Sequence, residues 1–173
     1  MLRGNYSGIT NLEETRANKD NVADLHIKET GFNRNMLSNP DKKRFMDLEL
    51  SDQLPLEFNI NSGASKLNLD FSNINLKKLN VNSGASIVKV KFGQKSENLN
   101  AEINSGASSI ELIIPKDFGV KIDSNSLLLG RNFSDLDLEQ NNNSYISKNY
   151  DSKTKKLNIK LSSGVSKLTV TQY

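Results

Sequence analysis

The sequence predicts an all-β chain, a single-domain parallel β-solenoid with coils of about 20–22 residues and an irregular N-terminal cap. Two observations carry this expectation. A five-residue corner, Asn-Ser-Gly-Ala-Ser, recurs at even spacing, and apolar residues alternate at period two on both sides of every copy.

The corners come first because they fix the spacing. Asn61-Ser62-Gly63-Ala64-Ser65 is repeated as Asn82-Ser83-Gly84-Ala85-Ser86 and as Asn104-Ser105-Gly106-Ala107-Ser108, with glycines 21 and then 22 residues apart. Ile122-Asp123-Ser124-Asn125-Ser126 reads as a degenerate fourth copy, with Asn125 in the glycine place. Leu161-Ser162-Ser163-Gly164-Val165-Ser166 is a fifth, after a longer insertion. Glycine at a corner suggests a positive φ, for which Asn is the usual substitute. The small Ala or Val that follows is expected to turn inward. Stacked in register, Asn61, Asn82 and Asn104 would form a ladder of side-chain amides.

The arms come next. Leu56, Phe58 and Ile60 precede the first corner, and Leu67, Leu69 and Phe71 follow it. Leu79, Val81, Val88, Val90 and Phe92 repeat the pattern, as do Ile103, Ile110, Leu112 and Ile114, and then Leu157, Ile159, Leu161, Leu168 and Val170. Period two means half-buried strands, with Lys, Asn, Glu and Thr outward. No arm can bury its apolar face alone, so stacked coils are expected to share one column. A meander of antiparallel hairpins is the competing arrangement. It favours Asn-Gly or Asp-Gly turns, and the sequence has neither.

Residues 1–50 are less regular and read as the cap, while residues 51–173 read as the repeat domain. Val22, Leu25 and Ile27, like Met46, Leu48 and Leu50, resemble outgoing arms of a degenerate coil. Ser38-Asn39-Pro40-Asp41 resembles the start of a short helix over residues 35–45. Asn141-Asn142-Asn143-Ser144 reads as an exposed loop.

Composition excludes several functions. The 173 residues are 35% hydrophobic and 6% aromatic, with a dispersed net charge of +3. Nucleic-acid binding is not expected, because Lys77-Lys78 and the Lys153–Lys156 run read as solvated faces. Without cysteine there is no disulfide, thiol catalysis or thiolate metal site. No apolar run reaches the ~18 residues of a membrane span, so attachment to a membrane would need an anchor absent from this chain.

The sequence offers no catalytic, cofactor-binding or metal-binding set, and no enzyme activity is expected. His26 is the single histidine and reads as a solvated strand residue, which leaves no serine triad to assemble. The repeated serines read as corner hydrogen-bonders. Asp135, Asp137 and Glu139 alternate as if on one strand face, but lack the glycine and distal glutamate of a calcium loop. A carbohydrate-active or carbohydrate-binding solenoid is the alternative from another class. It would need paired carboxylates in a cleft, often with aromatic platforms, and there is no Trp.

The run from Leu54 to Ser72 resembles the toast-rack domain of bacterial envelope proteins, a group that includes the LiaF-like cell wall-active antibiotic response proteins. The likeness continues through Asn75–Leu79, the Gly84 and Gly106 corners, Ile114-Pro115-Lys116 and the closing stretch from Tyr145 to Val170. It implies a non-enzymatic interaction or sensing module at a bacterial cell envelope, membrane-anchored in the full protein, with envelope-stress signalling as one role. The implied partner is a protein or envelope component. The edge expected to meet it carries Ser62, Ser83 and Ser105 beside the Asn ladder.

Overall fold

The computed structural model describes residues 2–7, 12–19, 22–29, 45–50, 55–133 and 136–173. These fall into two compact units, Met1–Ser51 and Asp52–Tyr173. In the first unit, β1 (Leu2–Ser7) pairs antiparallel with β4 (Phe45–Leu50), and β2 (Leu12–Lys19) pairs antiparallel with β3 (Val22–Glu29). Residues 35–44, expected to hold a short helix, lie outside the described residues, and Phe45 opens β4.

The second unit holds the repeats. β5 (Leu56–Ser62) and β6 (Ser65–Asp70) are the arms of the first corner. β7 (Leu76–Lys91), β8 (Asn98–Ile114), β9 (Phe118–Phe133) and β12 (Lys155–Gln172) each run unbroken through their corners. β10 (Leu138–Asn141) and β11 (Ser144–Ser147) are short. The corner strands pair in parallel, as their even spacing predicts, and all belong to one sheet, ordered β10-β11-β9-β12-β8-β7-β5, with β6 also on β7. The meander is therefore excluded for the corners.

Register delivers the apolar columns. Leu69, Val90, Leu112, Val170 and Phe133 are successive partners across five layers. Ile60, Val81, Ile103 and Leu161 line up in the facing arm. Val81, Val90, Ile103 and Leu112 are completely buried. Each such side chain contributes roughly 1.5–3 kcal/mol by leaving water, so the column between the arms dominates the stability of this unit. Lys89, Asn68 and Glu111 alternate outward, as the period-two pattern requires.

Layer order departs from chain order. β12, the last corner strand, lies between β8 and β9, so the fifth corner contacts the third and fourth together. Its Leu157, Ile159 and Leu161 pair with Leu99, Ala101 and Ile103 on one side, and with Val120, Ile122 and Ser124 on the other. The outer side of β9 is met antiparallel by β11, which forms a hairpin with β10. Asn141-Asn142-Asn143-Ser144 thus makes an exposed two-residue turn between paired Asn141 and Ser144. Asn142 has φ 52°, the left-handed conformation that Asn tolerates best after Gly.

The corners differ from expectation in three ways. First, none of the corner glycines has a positive φ; closeness to the neighbouring layer explains Gly84, Gly106 and Gly164 instead. The Gly84 N–H donates to the Gly63 carbonyl at 3.0 Å, and a Cβ on Gly106 would sit 2.9 Å from the Gly84 carbonyl oxygen. Gly164 stands in the same relation to Gly106, again at 2.9 Å. Second, Ala64, Ala85, Ala107 and Val165 face outward, and the following serines turn in. Third, Asn125 is not in the glycine place. It pairs with Ser162, itself the partner of Asn104, and therefore belongs to the ladder column. β9 lacks a residue opposite Gly164, and the register slips there between Ser163 and Val165.

Candidate interaction surface

The corner ridge is built from three columns with different tasks. The outward amides of the first arm form the ladder. Asn104 Nδ2 donates to Asn82 Oδ1 at 3.0 Å, and Asn82 Nδ2 donates to Asn61 Oδ1 at 2.9 Å. A parallel rung joins Asn80 Nδ2 to Asn59 Oδ1 at 2.6 Å. The amide ladder stops at Ser162, whose hydroxyl side chain takes the place in the next layer.

Serines close each corner. Ser62–Ser65, Ser83–Ser86, Ser105–Ser108 and Ser163–Ser166 are hydroxyl pairs at 2.8 Å. An inward hydroxyl against an apolar core is costly unless bonded. Pairing it across the corner supplies the partner. This is how the inward place accommodates Ser. Ser62, Ser83 and Ser105 are consequently half-buried and engaged, while Ala64, Ala85, Ala107 and Val165 are exposed on the ridge.

The outer face of the second arms carries cross-layer ion pairs. Lys89 Nζ lies 2.9 Å from Glu111 and Lys91 Nζ lies 3.9 Å from Asp70. Two hydrogen bonds from Ser72, one from its hydroxyl and one from its N–H, hold the Asp70 carboxyl below its ordinary value, with Lys91 helping. At the turn edge the lysine run is not simply solvated. Lys155 bonds Asp117 at 2.7 Å and the Gln94 carbonyl at 2.9 Å, Lys153 reaches the Lys116 carbonyl, and Lys156 stacks on Tyr150. These contacts tie three turns together. Lys77 and Lys78 remain exposed.

His26 lies in β3 with Thr15 as backbone partner, remote in sequence from every corner. Asp135 lies outside the described residues. Asp137 precedes β10 and pairs with Lys148 at 2.7 Å, raising the Lys148 pKa, and Glu139 alone of the three lies in a described strand. Among the described residues no group of three or more His, Asp or Glu could hold a metal ion, and no helix could cross a membrane.

Parallel bent strands stacked on glycine corners, with polar groups spent on joining layers, define an all-β stacking domain. The family model described as the N-terminal domain of toast_rack, DUF2154, matches residues 7–113, and the chain belongs to that family. The resemblance read from the corner motif is therefore correct. A crystal structure from Clostridium sporogenes ATCC 15579, of a protein provisionally described as a cell adhesion protein, has the same fold. It superposes with a TM-score of 0.89 at 23% identity, over 100% of this chain and 83% of that one. No curated protein matches the chain.

Proposed function

We propose that this chain is a non-catalytic interaction module of a bacterial cell-envelope protein, a β-solenoid that presents its corner ridge to a protein partner. One observation carries the reading: the repeated polar side chains are committed to structure, as the Asn ladder and the four serine pairs, leaving a regular ridge on which Ala64, Ala85, Ala107 and Val165 are exposed. A ridge of small side chains on a stacked frame offers rigid, repeating contact at low conformational cost. The family supports an envelope setting, and the adhesion description of the Clostridium sporogenes protein agrees with display of a surface. Anchoring through a segment outside this chain and modulation of envelope-stress signalling belong to the same proposal.

Photo-crosslinking in cells tests it. A photoreactive residue at Ala85 should give a protein adduct that the same residue at Lys77, on the turn edge, does not. The adduct should vanish when Ala107 is replaced by Glu. Release of sugars from wall polysaccharide by the purified chain, lost in Asp137→Asn, would overturn the non-catalytic reading in favour of the carbohydrate-active one.

A further inference from the structure

Along the corner, each layer sets one outward residue of its second arm beside the ridge. Register makes a column of them: Lys66, Ile87, Ser109, Lys167 and Gly130. Lys66, Ser109 and Lys167 are exposed, and Ile87 is 53% exposed, at an outward strand position that its neighbours in the column fill with Lys or Ser. Ile87 stands two residues beyond Ala85 on the same outward side. With Ala64, Ala85, Ala107 and Val165, the last 40% exposed, it makes an apolar ribbon four layers long. Lys66 and Lys167 flank the two ends of that ribbon, three layer steps or roughly 14 Å apart.

Charge on this strip is one-sided. Residues 61–66, 82–87, 104–109, 124–130 and 162–167, which form the ridge and its two flanks, include no Asp or Glu. Further from the corner the second arms neutralise their lysines, Lys89 with Glu111 and Lys91 with Asp70. Lys66 and Lys167 meet no carboxylate among the described residues. The fold does not require a cation there, since Ile87 and Ser109 fill the same place in the layers between. Resting on the reading of the ridge as a protein contact, we infer that its partner is an acidic protein face, on which carboxylates bracket an apolar centre that meets Ile87 and Val165. An apolar centre with a complementary charged rim is how specific interfaces are built, the rim charges steering encounter and rejecting wrong partners. An anionic membrane fits less well, because electrostatic attachment to lipid draws on clusters of about 4–8 cations. A second copy docked ridge to ridge offers neither lysine a carboxylate, because the strip has none.

The test keeps the full chain and the photoreactive residue at Ala85, with adduct yield in cells as the readout. Lys66→Glu combined with Lys167→Glu should cut the yield about tenfold, while Lys66→Arg with Lys167→Arg should preserve it. Lys77→Glu with Lys78→Glu makes the same change of net charge at exposed positions away from the ridge, and should leave the yield unaltered. Ile87→Ser should lower it. All these side chains are exposed, and unchanged thermal unfolding of the purified variants should confirm that each still folds. Mass spectrometry of the adduct then locates the contact on the partner, and replacing the carboxylates beside it by Lys should restore the yield to the double-Glu chain. No adduct from the unsubstituted chain would overturn the ridge reading and this inference with it. Full yield from the double-Glu chain, or no recovery on the partner exchange, would overturn the inference alone. So would an adduct made of two copies of this chain, or sedimentation with phosphatidylglycerol vesicles that the double-Glu chain loses.

Discussion

Replacing the corner glycines by alanine, one layer at a time, should produce a graded response that separates two explanations of why they are glycines. If the backbone conformation required glycine, every corner should suffer alike. The geometry instead ranks them. At Gly63 the new methyl has no neighbour within 4 Å, at Gly84 it meets the Gly63 carbonyl oxygen at 3.4 Å, and at Gly106 and Gly164 it would lie 2.9 Å from the carbonyl of the adjoining layer. A backbone oxygen cannot swing aside as a flexible side chain can, so layers must separate or tilt. Overpacking of this kind costs about 1–3 kcal/mol. Gly63→Ala, by contrast, restricts the unfolded chain without a clash and should be neutral or stabilising by about 0.4–1 kcal/mol. Urea titrations followed by far-UV circular dichroism would read the series as shifts in midpoint at constant slope. The expected order of stability is Gly63→Ala first, then Gly84→Ala, with Gly106→Ala and Gly164→Ala lowest. Equal losses at all four positions would refute the close-approach argument and restore a conformational one.

Three other outcomes are expected. Val90 is completely buried between Leu69 and Leu112, so Val90→Asp should prevent folding, as an unpaired buried charge costs several kcal/mol. Lys89→Ala, one residue away, removes only the half-exposed pair with Glu111 and should cost less than about 1 kcal/mol in the same titration. Asp70 should titrate below 3.8 by carboxyl NMR, and Ser72→Ala should move its midpoint upward. Since the folded pKa is the lower one, its small contribution to stability is present above the unfolded pKa and is lost as pH falls through the folded value.

Much of the fold was legible because it is local and repeated. Val81, Val88 and Val90 announce buried arms by alternation alone, and the 21- and 22-residue spacing of Gly63, Gly84 and Gly106 specifies parallel stacking. The ladder of Asn61, Asn82 and Asn104 followed from the same register. What the sequence concealed depends on long-range choice. Leu157, Ile159 and Leu161 would complement either β8 or β9, and nothing local says that they lie between the two. The inward place of Ser65, Ser86, Ser108 and Ser166 was also hidden, because a hydropathy pattern puts Ala inside and Ser outside. The hydroxyl pairing that reverses this is visible only when both sides of the corner are in place. Asn125 misled through its position beside a serine, since the incoming arm of β9 is offset by two residues from the motif alignment, which puts Asn125 and not Asp123 in the ladder column.

The interleaving of β12 has a consequence for how the chain reaches this state. A stack laid down in chain order could zip up one layer at a time, each new coil settling on its predecessor. Here β9 is made before its parallel neighbour exists, and β8 and β9 gain a common partner only when residues 155–172 arrive. Until then the upper face of β8 and the facing side of β9 stay unpaired, with Ile110, Leu112 and Ile122 exposed to wrong partners. Closing a gap that spans so much sequence carries a loop-entropy penalty before any contact repays it. The domain should therefore assemble late and all at once, with the last strand acting as the keystone that locks two separately prepared halves together.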